Sequence, residues 1–153
     1  NLSEEQGISL LGWRDVPVNN DCLSKDKEIR ESEPKHIQGF FRKPAGTNEQ
    51  DFERSLYVLR KKTTNRIYQE LGDEDLYYAV SLSSRTVIYK GMFLADQLAK
   101  YYLDLQDKRY VSALSLVHQR FSTNTFPSSS FFHVILLLPS RGLSNLWSFL
   151  VEK

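Results

Sequence analysis

A long helical pattern with a capping residue at each end is the feature that most constrains how this chain folds. Between residues 49 and 71 the apolar residues recur at helical spacing: Phe52, Leu56, Leu59, Ile67 and Leu71. Asn48 can accept a hydrogen bond from the first turn, and Gly72 can end the last turn with a left-handed residue. Glu49 and Asp51 add negative charge where the helix dipole favours it. The pattern predicts one helix whose apolar stripe must be buried against another element.

Short β-prone runs surround this helix. Strands are predicted within residues 7–18, 36–42 and 111–118, and a second helix within residues 95–105. Two further runs, 76–82 and 85–89, flank Ser83 and Ser84 and predict a hairpin, although the turn lacks an Asn-Gly or Asp-Gly pair. Residues 19–34 are highly charged and predict an exposed loop or a frayed helix. Helices alternating with strand pairs indicate the α+β fold class.

Two side chains receive an expectation from their surroundings alone. Trp13 is expected to be a core residue and not a platform for a ligand. His36 stands alone before a predicted strand and is expected to be solvated.

Charge and hydropathy exclude several functions. Lys and Arg number 20 against 19 Asp and Glu, and the two signs are interspersed, so no basic stripe predicts a nucleic-acid partner. The longest apolar run, within residues 131–138, is far shorter than the ~20 residues of a membrane helix. The single cysteine, Cys22, excludes an internal disulfide and a metal site built from several cysteines, and it favours a reducing compartment. The first residues are polar and acidic, unlike a secretory signal, and we expect the chain to be cut from a longer one.

Residues 118–127 carry the clearest chemical pattern, His-Gln-Arg-Phe-Ser-Thr-Asn-Thr-Phe-Pro. Arg120 stands where a strand-like run ends and a polar loop begins. Its planar guanidinium can bind a carboxylate through two hydrogen bonds, and Thr123 and Asn124 add polar groups beside it. The pattern predicts a site for an amino-acid ligand. The alternative is an ordinary strand end with a surface arginine and a polar turn.

This motif resembles the segment that recurs in the glutaminase domain of glutamate synthases, which are class II (N-terminal nucleophile) glutamine amidotransferases. Further segments are similar and follow in the family's order: 11–18 (Leu-Gly-Trp-Arg-Asp-Val-Pro-Val), 52–61 (Phe-Glu-Arg-Ser-Leu-Tyr-Val-Leu-Arg-Lys), 81–92 (Ser-Leu-Ser-Ser-Arg-Thr-Val-Ile-Tyr-Lys-Gly-Met) and 102–105 (Tyr-Leu-Asp-Leu). The resemblance ends after Pro127. We therefore expect residues 1–127 to be a fragment of a glutamine amidotransferase type 2 domain and residues 128–153 to be a non-matching C-terminal tail.

The resemblance implies a fold, a site and an activity. The fold is part of the four-layer αββα sandwich of N-terminal nucleophile hydrolases. Arg120 is implied as the anchor of the glutamine α-carboxylate, with Phe121, Thr123 and Asn124 lining the pocket. The parent protein would hydrolyse glutamine and transfer the ammonia to 2-oxoglutarate. FMN and an iron–sulfur cluster would belong to its remaining domains, with none in this chain, and the compartment would be the cytoplasm or a plastid.

Two catalytic parts of the family pattern are missing from these 153 residues. The family's nucleophile is a cysteine at position 1 whose α-amino group acts as base, whereas residue 1 here is Asn and Cys22 is internal. The family's oxyanion motif, His-Asn-Gly-Glu, has no counterpart, because no Asn-Gly pair occurs in the sequence. A serine hydrolase built on His118 lacks an elbow motif and an acid partner. No catalytic residue is therefore assigned, and we expect the isolated polypeptide to be inactive.

The tail is expected to be poorly integrated into the fold. Residues 131–138 have the composition of a buried strand, and a helical stripe is predicted from Leu143, Leu146, Trp147, Leu150 and Val151. The abrupt end of the resemblance is what a frame change, a retained intron or an alternative splice end would leave. Two hypotheses follow: an incomplete glutaminase domain, or a non-catalytic product that binds amino acids or a partner.

Overall fold

The computed structural model describes residues 2–31, 33–72, 77–91, 93–94, 96–118, 135–139 and 147–152. Its helices are α1 (Leu2–Glu5), α2 (Lys27–Glu31), α3 (Glu49–Leu71) and α4 (Leu98–Tyr101), with short 3₁₀ helices at Asn20–Cys22 and Leu103–Gln106. Its strands are β1 (Ser9–Asp15), β2 (His36–Arg42), β3 (Tyr78–Ser83), β4 (Thr86–Tyr89), β5 (Leu116–His118), β6 (Ile135–Pro139) and β7 (Trp147–Glu152). This mixture confirms the α+β class.

Helix α3 has the predicted bounds and the predicted caps. The Asn48 side chain accepts a hydrogen bond from the backbone N–H of Asp51 at 2.8 Å. Gly72 has a φ of 68°, which a residue with a Cβ rarely adopts, and its N–H donates to the carbonyl of Tyr68. Both ends of the helix are therefore satisfied by the residues that the sequence pattern indicated.

The described strands form two sheets, and the first has the order β1-β2-β7-β3 with antiparallel neighbours. Helix α3 packs on one face of this sheet. Its buried residues Phe52, Leu56 and Leu59 join Phe41 of β2 and a pair from β3 in one apolar cluster. That pair is Ala79 and Leu82. The helix thus lies across β2 and β3 at the same time.

The opposite face of the first sheet is covered by a second apolar cluster. Val80 belongs to this cluster although its neighbour Ala79 belongs to the α3 cluster, because successive strand residues point to opposite faces. The other buried members are Val16, Tyr89, Leu98, Tyr101 and Tyr102. The first sheet is therefore buried on both sides, by α3 on one and by the layer with β4 and α4 on the other.

The second sheet has the order β4-β6-β5. Both outer strands are antiparallel to β6, so β4 and β5 run in the same direction. Tyr89 of β4 and Val117 of β5 stand opposite the same residue, Leu136. The two strands consequently end side by side, about 10 Å apart across one intervening strand.

Both strands of the predicted hairpin are present, but the prediction that they pair with each other was wrong. β3 pairs with β7, and β4 pairs with β6 in the other sheet. The connecting turn is held by Glu53 of α3, whose carboxylate accepts hydrogen bonds from the Ser84 N–H and the Ser83 hydroxyl. Ser83 Oγ in turn accepts from the N–H of Arg85 at 3.0 Å. These contacts direct the chain from one sheet into the other, where a two-residue hairpin turn would have folded it back.

The predictions for residues 128–153 also need correction. The expected helical stripe was wrong, because Trp147–Glu152 is strand β7 in the middle of the first sheet. The expected strand is present over Ile135–Pro139, in the middle of the second sheet. The prediction that these residues are poorly integrated into the fold was therefore wrong for both described segments. A short apolar run is compatible with either a helix or a strand. Here each run is a strand because it is hydrogen-bonded to a neighbouring strand on both sides.

Two predicted elements are shorter than expected. The helix predicted within residues 95–105 is limited to Leu98–Tyr101 and is followed by a 3₁₀ helix at Leu103–Gln106. The strand predicted within residues 111–118 is limited to Leu116–His118. No helix in the described ranges combines the length and the apolar character needed to cross a membrane.

Trp13 contradicts the expectation that it lies in the core. Its side chain is 53% exposed, because β1 is the outer strand in the order of the first sheet. The indole lies over Gly39 of β2, where an added Cβ would come within 2.8 Å of the ring. The glycine therefore provides the space for the tryptophan on the sheet surface.

The α3 contact can be tested with one substitution at two positions of the same helix. Leu56 is fully buried, whereas Leu71 is 56% exposed. Leu56→Ala is expected to lower the free energy of unfolding by roughly 2–5 kcal/mol, because it leaves a cavity between the helix and the sheet. Leu71→Ala is the matched control and is expected to change it by less than about 1 kcal/mol. Equal losses in urea denaturation would show that α3 is not packed through this face.

Candidate functional site

The sequence-predicted site residues lie outside the described part of the chain. These are Arg120, Phe121, Thr123 and Asn124. The last described element before them is β5, which ends at His118 opposite Ile135. Their assignment as a glutamine pocket stays a prediction.

Cys22 lies in the first 3₁₀ helix and has structural contacts on both sides. Its thiol donates to the carbonyl of Asn19 at 3.0 Å, and its own carbonyl accepts from the Gln97 side-chain amide at 3.0 Å. The residue thus links the 19–22 turn to the start of α4. That Cys22 is not a nucleophile stays a prediction.

An ion pair between Arg14 of β1 and Asp104 organises the polar part of the interior. The guanidinium meets both carboxylate oxygens, at 2.5 and 3.3 Å, and its Nε donates to Gln38 Oε1 at 2.6 Å. The Tyr89 hydroxyl donates to the same carboxylate at 2.9 Å and lies 3.2 Å from the Tyr110 hydroxyl. We call these five residues the Arg14 network. It joins the first sheet, the end of β4 and the 3₁₀ helix that follows α4.

Burial sets the protonation state of the tyrosines in this network. Tyr89 is fully buried, and burial, followed by the neighbouring Tyr110, raises the pKa of its hydroxyl. Burial also raises the pKa of Tyr110. The Tyr89 hydroxyl therefore stays protonated at neutral pH, and its proton is available for the bond to Asp104. The Asp104 side chain is 12% exposed, and Arg14 at 37% exposed faces solvent in part.

A second cluster of polar and aromatic residues surrounds His36 at the start of β2. The imidazole is 6% exposed and contacts the rings of Tyr101 and Tyr102, at centroid distances of 5.8 and 5.3 Å. Its Nε2 lies 3.4 Å from the Tyr102 hydroxyl, which donates to the carbonyl of Lys90 at 2.7 Å. The expectation that His36 is solvated was wrong, because Tyr101 of α4 and the following Tyr102 cover this end of β2.

The electrostatics of His36 follow from this burial. Desolvation, followed by the positive charge of Lys90, lowers the pKa of His36 from 6.5 to about 4. Lys90 is itself 3% exposed and follows Tyr89 directly. The imidazole is therefore neutral at pH 7, and a proton on it is unfavourable while the chain is folded.

Sequence reasoning missed both polar clusters, although several of their residues stand inside the segments that carry the family resemblance. Arg14, Tyr89, Lys90 and Asp104 all occur there. An ion pair between partly buried residues that are 90 positions apart in sequence leaves no local pattern, so only the shared segments could have indicated it. Among the described residues, no group of three or more His, Cys, Asp or Glu side chains is arranged to hold a metal ion.

The low pKa of His36 predicts an acid-sensitive fold. Below pH 6.5 the His36 imidazole is protonated in the unfolded chain, whereas in the folded chain it stays neutral down to about pH 4. The free energy of unfolding therefore falls as the pH is lowered through this window. The loss is on the order of 3 kcal/mol between pH 7 and pH 4. Urea unfolding of wild type and His36→Gln at several pH values checks this. The stability of wild type relative to His36→Gln should fall as the pH is lowered from 7 to 4, and a difference independent of pH would contradict the assignment.

Comparison with known proteins shows which family this chain belongs to. Residues 1–143 match the family described as class-II glutamine amidotransferases. This range runs past Pro127, and the division of the chain at that residue stays a prediction. No solved structure gave a significant match.

Several curated relatives are glutamate synthases. The chain is 41% identical over 146 residues to the glutamate synthase [NADPH] large chain of Bacillus subtilis, covering 94% of this chain and 9% of that protein. It is 36% identical over 139 residues to the corresponding large chain of Azospirillum brasilense, covering 91% and 9%. It is 39% identical over 127 residues to ferredoxin-dependent glutamate synthase 1 of Arabidopsis thaliana, covering 83% and 8%. The chain thus spans less than a tenth of the length of these relatives. On the match over residues 1–143, it belongs to the class-II glutamine amidotransferase family.

Proposed function

We propose that this chain is part of the glutaminase domain of a glutamate synthase. The observation that carries the proposal is the family match over residues 1–143 together with 36–41% identity to three glutamate synthases. The parent protein would hydrolyse glutamine and transfer the ammonia to 2-oxoglutarate to make glutamate. FMN and an iron–sulfur cluster would reside in its other domains, which are the physical partners of this chain. Bacterial cytoplasm or a plastid would be its compartment.

Within this function, Arg120 holds the α-carboxylate of glutamine, and Phe121, Thr123 and Asn124 line the pocket. The topology supports this assignment from the nearest described residue. Arg120 follows His118 by two residues, a reach of at most about 7 Å, and β5 ends beside β4. The motif therefore begins at the end of the second sheet where Tyr89 and Lys90 also emerge.

The Arg14 network gives this end of the sheet a fixed position. Asp104 holds the Tyr89 hydroxyl at 2.9 Å and is itself held by Arg14. A carboxylate anchor selects its ligand only if the strand that carries it cannot shift, because a displacement of about 1 Å weakens a paired hydrogen bond. We infer that the network contributes to binding by keeping the strand ends in register, without touching the ligand.

The larger fold proposed for the complete domain is the four-layer αββα sandwich. Three successive layers support it: α3, the first sheet, and the second apolar cluster with β4 and α4. A sheet buried on both faces needs one layer on each side, and the fourth layer belongs to the proposal.

A second candidate function is a non-catalytic amino-acid-binding product of the same family. The absence of any Asn-Gly pair from these 153 residues, and with it of the family's oxyanion motif, favours it for the polypeptide taken alone. Binding through Arg120 needs neither element. The two candidates therefore differ in turnover and agree on the carboxylate anchor.

We expect the 153-residue polypeptide to have no glutaminase activity of its own. It encodes neither the nucleophile nor the oxyanion donors of the family, and loss of one oxyanion donor alone costs about a hundredfold or more in rate. Glutamate release from glutamine should equal that of a control without protein. Release above the control that disappears in Cys22→Ser would overturn this expectation and make Cys22 the nucleophile.

Arg120→Lys is expected to be a severe change in the complete parent enzyme. A lysine ammonium cannot reproduce the paired geometry, and the lost charge-assisted bond is worth roughly 1.5–3 kcal/mol, or about one to two orders of magnitude in glutamine-dependent kcat/KM. Ammonia-dependent glutamate formation should stay unchanged, because it bypasses the glutamine site.

Arg109→Lys is the matched control for this substitution. The Arg109 side chain is 90% exposed and pairs with Asp107 on the surface, so the change should leave both activities unaltered. If Arg120→Lys behaved like Arg109→Lys at subsaturating glutamine, Arg120 would be an ordinary strand-end residue.

A further inference from the structure

A single strand separates β2 from β3 in the first sheet. Six residues of β2 and five of β3 stand opposite residues of β7, and β2 is paired with β1 along its other edge. β2 and β3 therefore form the two walls of a slot that is one strand wide, about 10 Å from wall to wall.

The slot has a defined chemical pattern. Towards α3, its walls are Phe41 and Ile37 of β2 and Leu82 and Ala79 of β3, all in or against the α3 cluster. The register sets every second residue of β7 opposite this apolar row: Trp147 opposite Phe41, Phe149 opposite Leu82, and Val151 opposite Ile37 and Ala79. The remaining β7 residues stand opposite polar residues of the walls: Ser148 opposite Ser83, Leu150 opposite Gln38 and Ser81, and Glu152 opposite His36. An extended segment with apolar residues at alternate positions fits this pattern.

The walls and the occupant come from different parts of the chain. β2, α3 and β3 all lie within residues 1–143, the range of the family match, whereas β7 begins at Trp147. The slot is thus built from family sequence and is filled by residues outside it. The two are linked through residues 140–146, so the occupant is tethered.

An empty slot would be costly. The facing edges of β2 and β3 would each lose a row of backbone hydrogen bonds beneath a buried apolar cluster. An extended segment is the partner that satisfies both edges at once, in the manner of a strand added to a sheet. We propose that the β2–β3 slot is a strand-accepting site for an extended peptide with alternating apolar residues, and that residues 147–152 are its tethered, exchangeable occupant.

A peptide added in trans tests this proposal with the full chain. The probe is a fluorescently labelled peptide of residues 144–153, Ser-Asn-Leu-Trp-Ser-Phe-Leu-Val-Glu-Lys, titrated by anisotropy. Phe149→Pro removes a backbone N–H in the middle of β7 and should free the slot. Lys108→Pro is the control, because Lys108 is the second residue of a turn closed by the Tyr110 N–H on the Asp107 carbonyl, where proline is tolerated.

The expected result is peptide binding to Phe149→Pro at least about tenfold tighter than to wild type or to Lys108→Pro, whose slots are filled by their own strand. The same peptide with proline in place of its phenylalanine should not bind. Equal binding to all three proteins, or binding to none, would overturn the proposal. If Phe149→Pro does not fold alone, recovery of its far-ultraviolet circular dichroism on adding the peptide supports the site, and failure to recover refutes it.

Discussion

The burial of Phe52, Leu56 and Leu59 of α3 across two strands that do not touch each other is the contact on which the rest of the structure depends. Phe52 and Leu56 are fully buried, and each side chain contributes roughly 1.5–3 kcal/mol when removed from water. Because they pack with Phe41 of β2 and with Ala79 and Leu82 of β3, the helix fixes the spacing of these strands. The order of the sheet then follows, since a gap of this width must hold one strand.

The polar contacts on the opposite face have a different physical role. Arg14 is partly solvated, and the attraction it gains from Asp104 is offset by the cost of desolvating a carboxylate that is 12% exposed. A pair of this kind adds little net stability. It does specify geometry, because the bidentate contact and the Tyr89 hydroxyl leave Asp104 one favourable position. The apolar clusters therefore hold the fold together, and the Arg14 network sets where the end of β4 lies within it.

The parts of this structure that sequence predicted are those specified locally. The bounds of α3 follow from Asn48, Gly72 and the apolar spacing between them, which all act within a few residues. Strand pairing could not be predicted, because the turn at Ser83 and Ser84 has no hairpin signature and the partners β6 and β7 are distant in sequence. The burial of His36 and the exposure of Trp13 depend on what covers each face and on which strand is outermost. Neither is encoded near the residue itself.

The motif at residues 118–127 is a different case, because it was recognised from its residue pattern and its proposed role is to bind a ligand. A guanidinium that pairs with the α-carboxylate of glutamine contacts a group that does not change during hydrolysis of the side-chain amide. Such a contact binds substrate and transition state equally, so it strengthens binding without accelerating the chemical step. Acceleration comes from the nucleophile and from donors aimed at the developing oxyanion. A chain with Arg120 and without those groups would therefore retain selection for the amino acid and lose turnover, and the proposed anchor is compatible with both candidate functions.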